Sequence, residues 1–88
     1  MPNIFIKNSE IAEKLPPQNI EAEKSLLGSL MLDKNAIIKV VDFLQPRDFY
    51  RQNHREVYQA IVDLFEKGEP VDLLAVSTRL GEKNLLYF

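Results

Sequence analysis

The sequence predicts an all-α fold, a small globular bundle of about four main helices near residues 19–32, 35–44, 54–67 and 72–80. Three observations predict it. Every sustained apolar pattern recurs with the helical period of about 3.6 residues, and none alternates with the period of about two that marks a half-buried strand. Each patterned stretch is bounded by capping residues or by Pro and Gly. The chain has 88 residues, 45% of them hydrophobic, which leaves room for one modest core and no second folded unit.

Residues 1–18 show no sustained period and end in Pro16-Pro17, which remove two backbone donors and favour extended geometry. They read as a flexible N-terminal arm leading to a rigid entry point. Its apolar patch Ile4, Phe5, Ile6 either docks on a neighbouring surface or stays loosely packed.

Asn19 offers a side-chain acceptor to the orphan N–H groups of a first helix, and Glu21 and Glu23 face the positive end of its dipole. Ile20, Leu27 and Met31, flanked by Ala22, Leu26 and Leu30, form its buried stripe. Gly28 within that stripe costs about 1 kcal/mol against Ala. Either another helix packs there too closely for a side chain, or the position is a tolerated weak point. Asp33 and Asn35 interrupt the pattern, and Ile37, Val40, Val41 and Leu44, with Phe43 beside them, trace a second helix that Pro46 stops.

Pro46 opens a single turn that is expected to deliver Phe49 and Tyr50 to the core. Asn53, three residues before Glu56, reads as an Asn variant of the capping box of a third helix. Val57, Tyr58, Ile61, Val62 and Phe65 are its apolar stripe, Arg55, Glu56, Asp63, Glu66 and Lys67 its wet side, and Gly68 followed by Pro70 its stop. Asp72 caps a fourth helix, Val71 staples onto Val76, Leu73, Val76 and Leu80 continue the buried face, and Gly81 closes it. The expected core is Leu27, Leu30, Met31, Ile37, Val41, Leu44, Phe49, Val57, Ile61, Phe65 and Val76.

Eleven Lys plus Arg against thirteen Asp plus Glu give a net charge of -2, which lacks the basic excess that phosphate neutralisation requires, so tight DNA binding is not expected. Without cysteine there is no disulfide framework, thiolate metal site or thiol nucleophile, and a cytoplasmic protein is the natural reading. No apolar run approaches the roughly 20 residues that span a bilayer, and the N-terminus has no basic segment followed by a long apolar one, so neither a membrane nor a secretory signal is implied. The phosphate loop G-x-x-x-x-G-K-S/T is missing, because Gly28, Gly68 and Gly81 are followed by Ser, Glu and Glu. Metal-binding motifs are likewise absent, and His54 reads as a partly exposed surface residue beside a helix cap rather than a base. Asp33, Asp48 and Asp72 sit where caps and turns want aspartate. Arg47, Arg51, His54 and Arg55, with Tyr50 among them, form the local basic cluster, and Glu21 and Glu23 a complementary acidic spot. Both are candidate partner contacts, with solvated surface the favoured reading of each.

Taken in order, PPQNIEAEKSLLGSLMLD, then PRDFY, then HREVYQAIVDLFEKGEPVDLLAVSTRL resemble the N-terminal domain of the bacterial replicative DNA helicases, the DnaB family, over residues 16–86. Each motif is weak alone, but the series at these spacings is specific. The resemblance implies a division into the arm 1–18, a helical collar domain 19–86 and a truncated end 87–88. It also implies a scaffolding module within a hexameric helicase that contacts other helicase subunits and docks primase. ATP and Mg would belong to a separate C-terminal motor domain, leaving this segment without enzymatic activity or cofactor. The family's helical hairpin, expected after Leu86, is absent from these 88 residues. Since that hairpin carries much of the collar pairing and Glu21, Glu23, Lys39, Asp63, Glu66 and Lys67 fall on wet helix faces, the expected apolar surface is the arm and the tail Leu85–Phe88 alone. A monomer or weak dimer is then expected. Two other readings remain: a helical DNA-binding domain using the third helix for recognition, and the similarly folded helicase-binding domain of a primase.

Because no loop pairs successive backbone N–H groups with a following Lys-Ser or Lys-Thr, millimolar ATP is expected to leave the melting temperature unchanged. A rise in thermal unfolding temperature with ATP is the contrary result.

Overall fold

The computed structural model describes residues 19–83. The expectations placed on the arm 1–18 and on residues 84–88 lie outside them. The described residues form α1 (Ile20–Leu32), α2 (Ala36–Val40), a 3-10 turn (Pro46–Asp48), α3 (Gln52–Glu66) and α4 (Leu73–Glu82), with no strand among them. Helix α3 is the centre, packing against α1, α4 and the 3-10 turn.

The Asn19 side chain accepts from Ala22 N at 2.9 Å and starts α1. Asp33 Oδ1 then accepts from Asn35 N at 2.9 Å and turns the chain into α2. Helix α2 is shorter than its apolar pattern suggests. Pro46 holds Gln45 in extended backbone (ψ 153°), so the chain leaves the helix early, through Phe43 and Leu44 N–H groups that share the Val40 carbonyl. Pro46 begins the 3-10 turn as expected, and Asp48 Oδ2 accepts from Gln45 N at 2.7 Å. The turn buries Phe49 completely but leaves Tyr50 half exposed, so only one of the two aromatics reaches the core.

The buried face of α3 is His54, Val57, Tyr58, Ala60, Ile61 and Leu64. It is rotated from the expected stripe: Leu64 is inside, while Val62 and Phe65 are half-buried, because a helical pattern with apolar residues on neighbouring positions fits two rotations. The Tyr58 hydroxyl donates to the Leu44 carbonyl at 2.8 Å, satisfying a polar group deep in the core, and its ring lies 5.1 Å from that of Phe49. Burial, aided by the Asp48 carboxylate, pushes the Tyr58 hydroxyl pKa upward. Gly68 at φ 71° ends α3 as expected, and Glu69 N donates to Leu64 O and Gly68 N to Phe65 O, the paired bonds of a Schellman cap.

Asp72 caps α4 by accepting from Ala75 N at 2.8 Å. Val76 and Leu80 are fully buried, but Leu73 and Leu74 are exposed, and α4 continues through Gly81 to Glu82. Asp63 on α3 clamps α4, accepting from Arg79 Nη2 at 3.2 Å and Lys83 Nζ at 2.9 Å. Burial opposes the charge of this carboxylate, but hydrogen bonds from Lys83, Gln59 and Arg79 outweigh it and hold its pKa below the ordinary carboxylate value.

Three further expectations are corrected. Met31, Val41 and Phe65 are only half-buried, whereas Leu26, Val40, Tyr58, Leu64 and Leu80 join the core. A Cβ on Gly28 would meet nothing within 4 Å, so close helix packing is not its reason. Apolar surface is not confined to the chain ends, since Leu32 is 89% and Leu74 78% exposed.

Ile61 is wholly buried at the centre of α3, and Ile61→Ala should cost about 2 to 5 kcal/mol in chemical denaturation. The Asp63 carboxylate contributes stability above its unfolded pKa of about 4, and that contribution is lost as pH falls through its lower folded value. Acid titration of the melting temperature should therefore show a smaller drop below about pH 4 in Asp63→Asn than in the parent chain.

Candidate functional site

The α1 residue Glu23 is completely buried, in contrast to its expected place on a wet helix face. Its Oε2 accepts from Tyr50 N at 2.5 Å, and its Oε1 accepts from Arg51 N at 3.4 Å and lies 2.7 Å from His54 Nδ1. With the carboxylate ionised, the imidazole donates through Nδ1–H. Residues almost thirty positions downstream thus close around one side chain.

This arrangement replaces the local cap expected from Asn53, which lies inside α3. The helix starts at Gln52 after Arg51, whose side chain makes no capping bond. Glu23 instead holds the amides of Tyr50 and Arg51, the residues that lead into α3, and its negative charge meets the positive end of the α3 dipole. His54 is accordingly 7% exposed rather than a surface residue. Both carboxylate oxygens are occupied by the protein itself, so the Glu23–His54 pair is a tie between helices and presents no free base to a substrate.

The other candidate contacts separate into two groups. Glu21 is exposed and 3.9 Å from Lys24 on the same helix, and Arg47, Tyr50 and Arg51 are exposed on the segment entering α3. Arg55 turns inward instead: its Nε donates to the Phe49 carbonyl at 2.6 Å and fastens the 3-10 turn to α3. Beside Arg51, α1 and α3 leave an open groove of about 380 Å³ with Leu27, Gly28, Met31 and Val57 along it and Lys24 and Arg51 at its rim. Neither the groove nor the buried role of Glu23 was read from the sequence. The available signal was His54, which lies four residues before Tyr58 and seven before Ile61, on the stripe rather than off it. Among the described residues no group of three His, Cys, Asp or Glu is placed to hold a metal ion, and no helix is long and apolar enough to cross a membrane.

Residues 15–87 match the family described as DnaB-like helicase N terminal domain. The chain is 45% identical over 74 residues to the replicative DNA helicase DnaC of Bacillus subtilis, covering 84% of this chain and 16% of that protein. It is 34% identical over 88 residues to the replicative DNA helicase DnaB of Treponema pallidum, covering all of this chain and 20% of that one. The fold is similar to the crystal structure of the N-terminal domain of DnaB helicase from Mycobacterium tuberculosis, with a TM-score of 0.76 and 48% identity over 81% of this chain and 49% of that one. The chain thus spans only a small part of the curated relatives it matches.

Removing the buried acceptor strands two backbone N–H groups and an imidazole, so Glu23→Ala should cost about 3 kcal/mol or more, enough to unfold much of so small a domain. Glu23→Gln retains one acceptor oxygen and should cost less. Under native hydrogen exchange its Tyr50 and Arg51 amides should lose protection before the Ile61 amide does; unchanged protection in Glu23→Gln is the contrary result.

Proposed function

The chain belongs to the DnaB-like helicase N-terminal domain family, and from that premise we propose that it is a non-catalytic interaction module of a hexameric replicative DNA helicase, acting in collar assembly and in docking primase. The observation that carries the reading is the family match over residues 15–87, supported by the same all-α fold in the related N-terminal domain. The chemistry is consistent with it. The buried Glu23, His54 and Tyr58 polar groups hold the fold together, while Arg47, Tyr50 and Arg51 are exposed. DNA unwinding driven by ATP, with its Mg, is then the work of another part of the parent protein.

The face we assign to a partner is the entry to α3, where Arg47, Tyr50 and Arg51 are exposed beside one another in sequence and Tyr50 presents half of its surface. Tyr and Arg are the residue types that dominate binding energy at protein interfaces. The alternative of DNA recognition by α3 is disfavoured by burial: Val57, Tyr58 and Ile61 face the core, and Asp63 and Glu66 lie on its other sides.

Primase from the same organism, immobilised and titrated with this chain, should retain it. Arg47→Glu with Arg51→Glu should weaken retention by about tenfold or more with an unchanged helical spectrum. Retention by duplex DNA at moderate salt but not by primase would overturn the reading.

A further inference from the structure

Two features of α1 are complementary to each other. Near its start, the groove shared with α3 has an apolar floor of Leu27, Met31 and Val57 and a cationic rim of Lys24 and Arg51, and a Cβ on Gly28 beside it would meet nothing within 4 Å. At its end stands Leu32, 89% exposed, followed by the exposed Asp33. An apolar side chain and then a carboxylate is what a groove with an apolar floor and a cationic rim accepts. The two cannot meet within one molecule. Lys24 and Asp33 are nine residues apart, about 13 Å along one rigid helix.

We propose that α1 pairs with α1 of a second copy of this chain, antiparallel about a two-fold axis at Gly28, each copy seating its Leu32 in the groove of the other. Such an axis sets every residue of α1 opposite the one equally far beyond Gly28 in the partner. Leu32 lies one turn after Gly28 on the same face and Lys24 one turn before it, so the partner's Leu32 falls opposite Lys24 and enters beside Gly28, where the missing side chain leaves room. The partner's Asp33 then meets Lys24 and Arg51. The charge that follows is matched as well: the partner's Lys34 comes beside Glu21, whose pair with Lys24 is long at 3.9 Å. Glu21, Lys24, Asp33 and Lys34 are all exposed, and the symmetry makes each contact twice. Glycine at the crossing lets the two axes approach toward the short end of helix spacing, about 8 Å. The area is small, because α1 is only about 20 Å long, and it falls short of the roughly 1,200 Å² of a stable interface. Pairing of separate chains is therefore weak, and it strengthens where other contacts already hold the copies together. The inference rests on the collar-assembly part of the proposed function and names the face used; primase docking does not enter it.

Sedimentation equilibrium of the full chain from about 10 µM to 1 mM should show monomers giving way to dimers and to nothing larger. Leu32→Ser, at a position that takes no part in the core, should weaken the dimer at least tenfold with an unchanged helical spectrum, whereas Leu74→Ser on α4 should not. Gly28→Leu, whose side chain enters open space, should weaken it likewise. Lys24→Glu and Asp33→Lys should each reduce pairing, and an equal mixture of these two variants should pair more strongly than either alone, since each altered charge then faces its opposite. A chain that stays monomeric throughout would overturn the pairing. A dimer that Leu32→Ser leaves intact, or a mixture that gains nothing, would overturn the assigned face and leave collar assembly through another surface. Association that continues past the dimer would mark an open head-to-tail contact and overturn the two-fold arrangement.

Discussion

Glu23 is the constraint on which the arrangement of this domain depends. A carboxylate removed from water is tolerated only when its acceptor capacity is filled, and here Tyr50 N, Arg51 N and His54 Nδ1 fill it. Because those groups are the entry to α3, satisfying the buried charge also fixes where α3 begins and how it sits against α1. The same contact serves the helix by placing a carboxylate at the positive end of its dipole. One side chain thus sets the register between the two longest helices, and the choice is cooperative: Glu23 is stable inside only if α3 starts beside it, and α3 starts there without a local cap only if Glu23 is inside.

Around that tie the packing is organised by α3. Tyr58 on its buried face reaches the Leu44 carbonyl at the end of the α2 segment, and Phe49 packs on the Tyr58 ring, so the irregular stretch between α2 and α3 is anchored by both polar and apolar contacts. Arg55 adds a third anchor through the Phe49 carbonyl. On the far side, Asp63 binds Arg79 and Lys83 and keeps α4 in place after the sharp turn at Gly68. The stretch between α2 and α3, and helix α4, are thus tied to α3 by charged or aromatic side chains, as a domain with so little apolar interior requires.

The division of labour between interior and surface bears on function. The imidazole and, among the described residues, the one buried carboxylate are spent on each other, while Arg47, Tyr50 and Arg51 stay in solvent and an apolar groove opens beside Arg51. Those exposed residues are the ones on which the proposed interaction role draws. That suits the N-terminal domain of a replicative helicase, whose relatives are several times longer than this chain.

The residues by themselves determined the helical class, the caps at Asn19 and Asp72, the stop at Gly68 and the turn opened by Pro46, because each depends on a few neighbouring backbone groups and on dihedral preferences local to one residue type. The motif order carried the family for the same reason: it is a property of the chain, not of its folding. The rotation of α3, the burial of Glu23 and His54, the exposure of Tyr50 and Leu73, and the empty space above Gly28 were decided only in three dimensions. Glutamate in a first turn is locally satisfied by the helix dipole, and nothing near it in sequence reveals that acceptors are needed some thirty residues away. Whether a polar residue is inside depends on partners brought by tertiary packing, and here two of the three partners of Glu23 are backbone N–H groups, which carry no signature in the sequence at all.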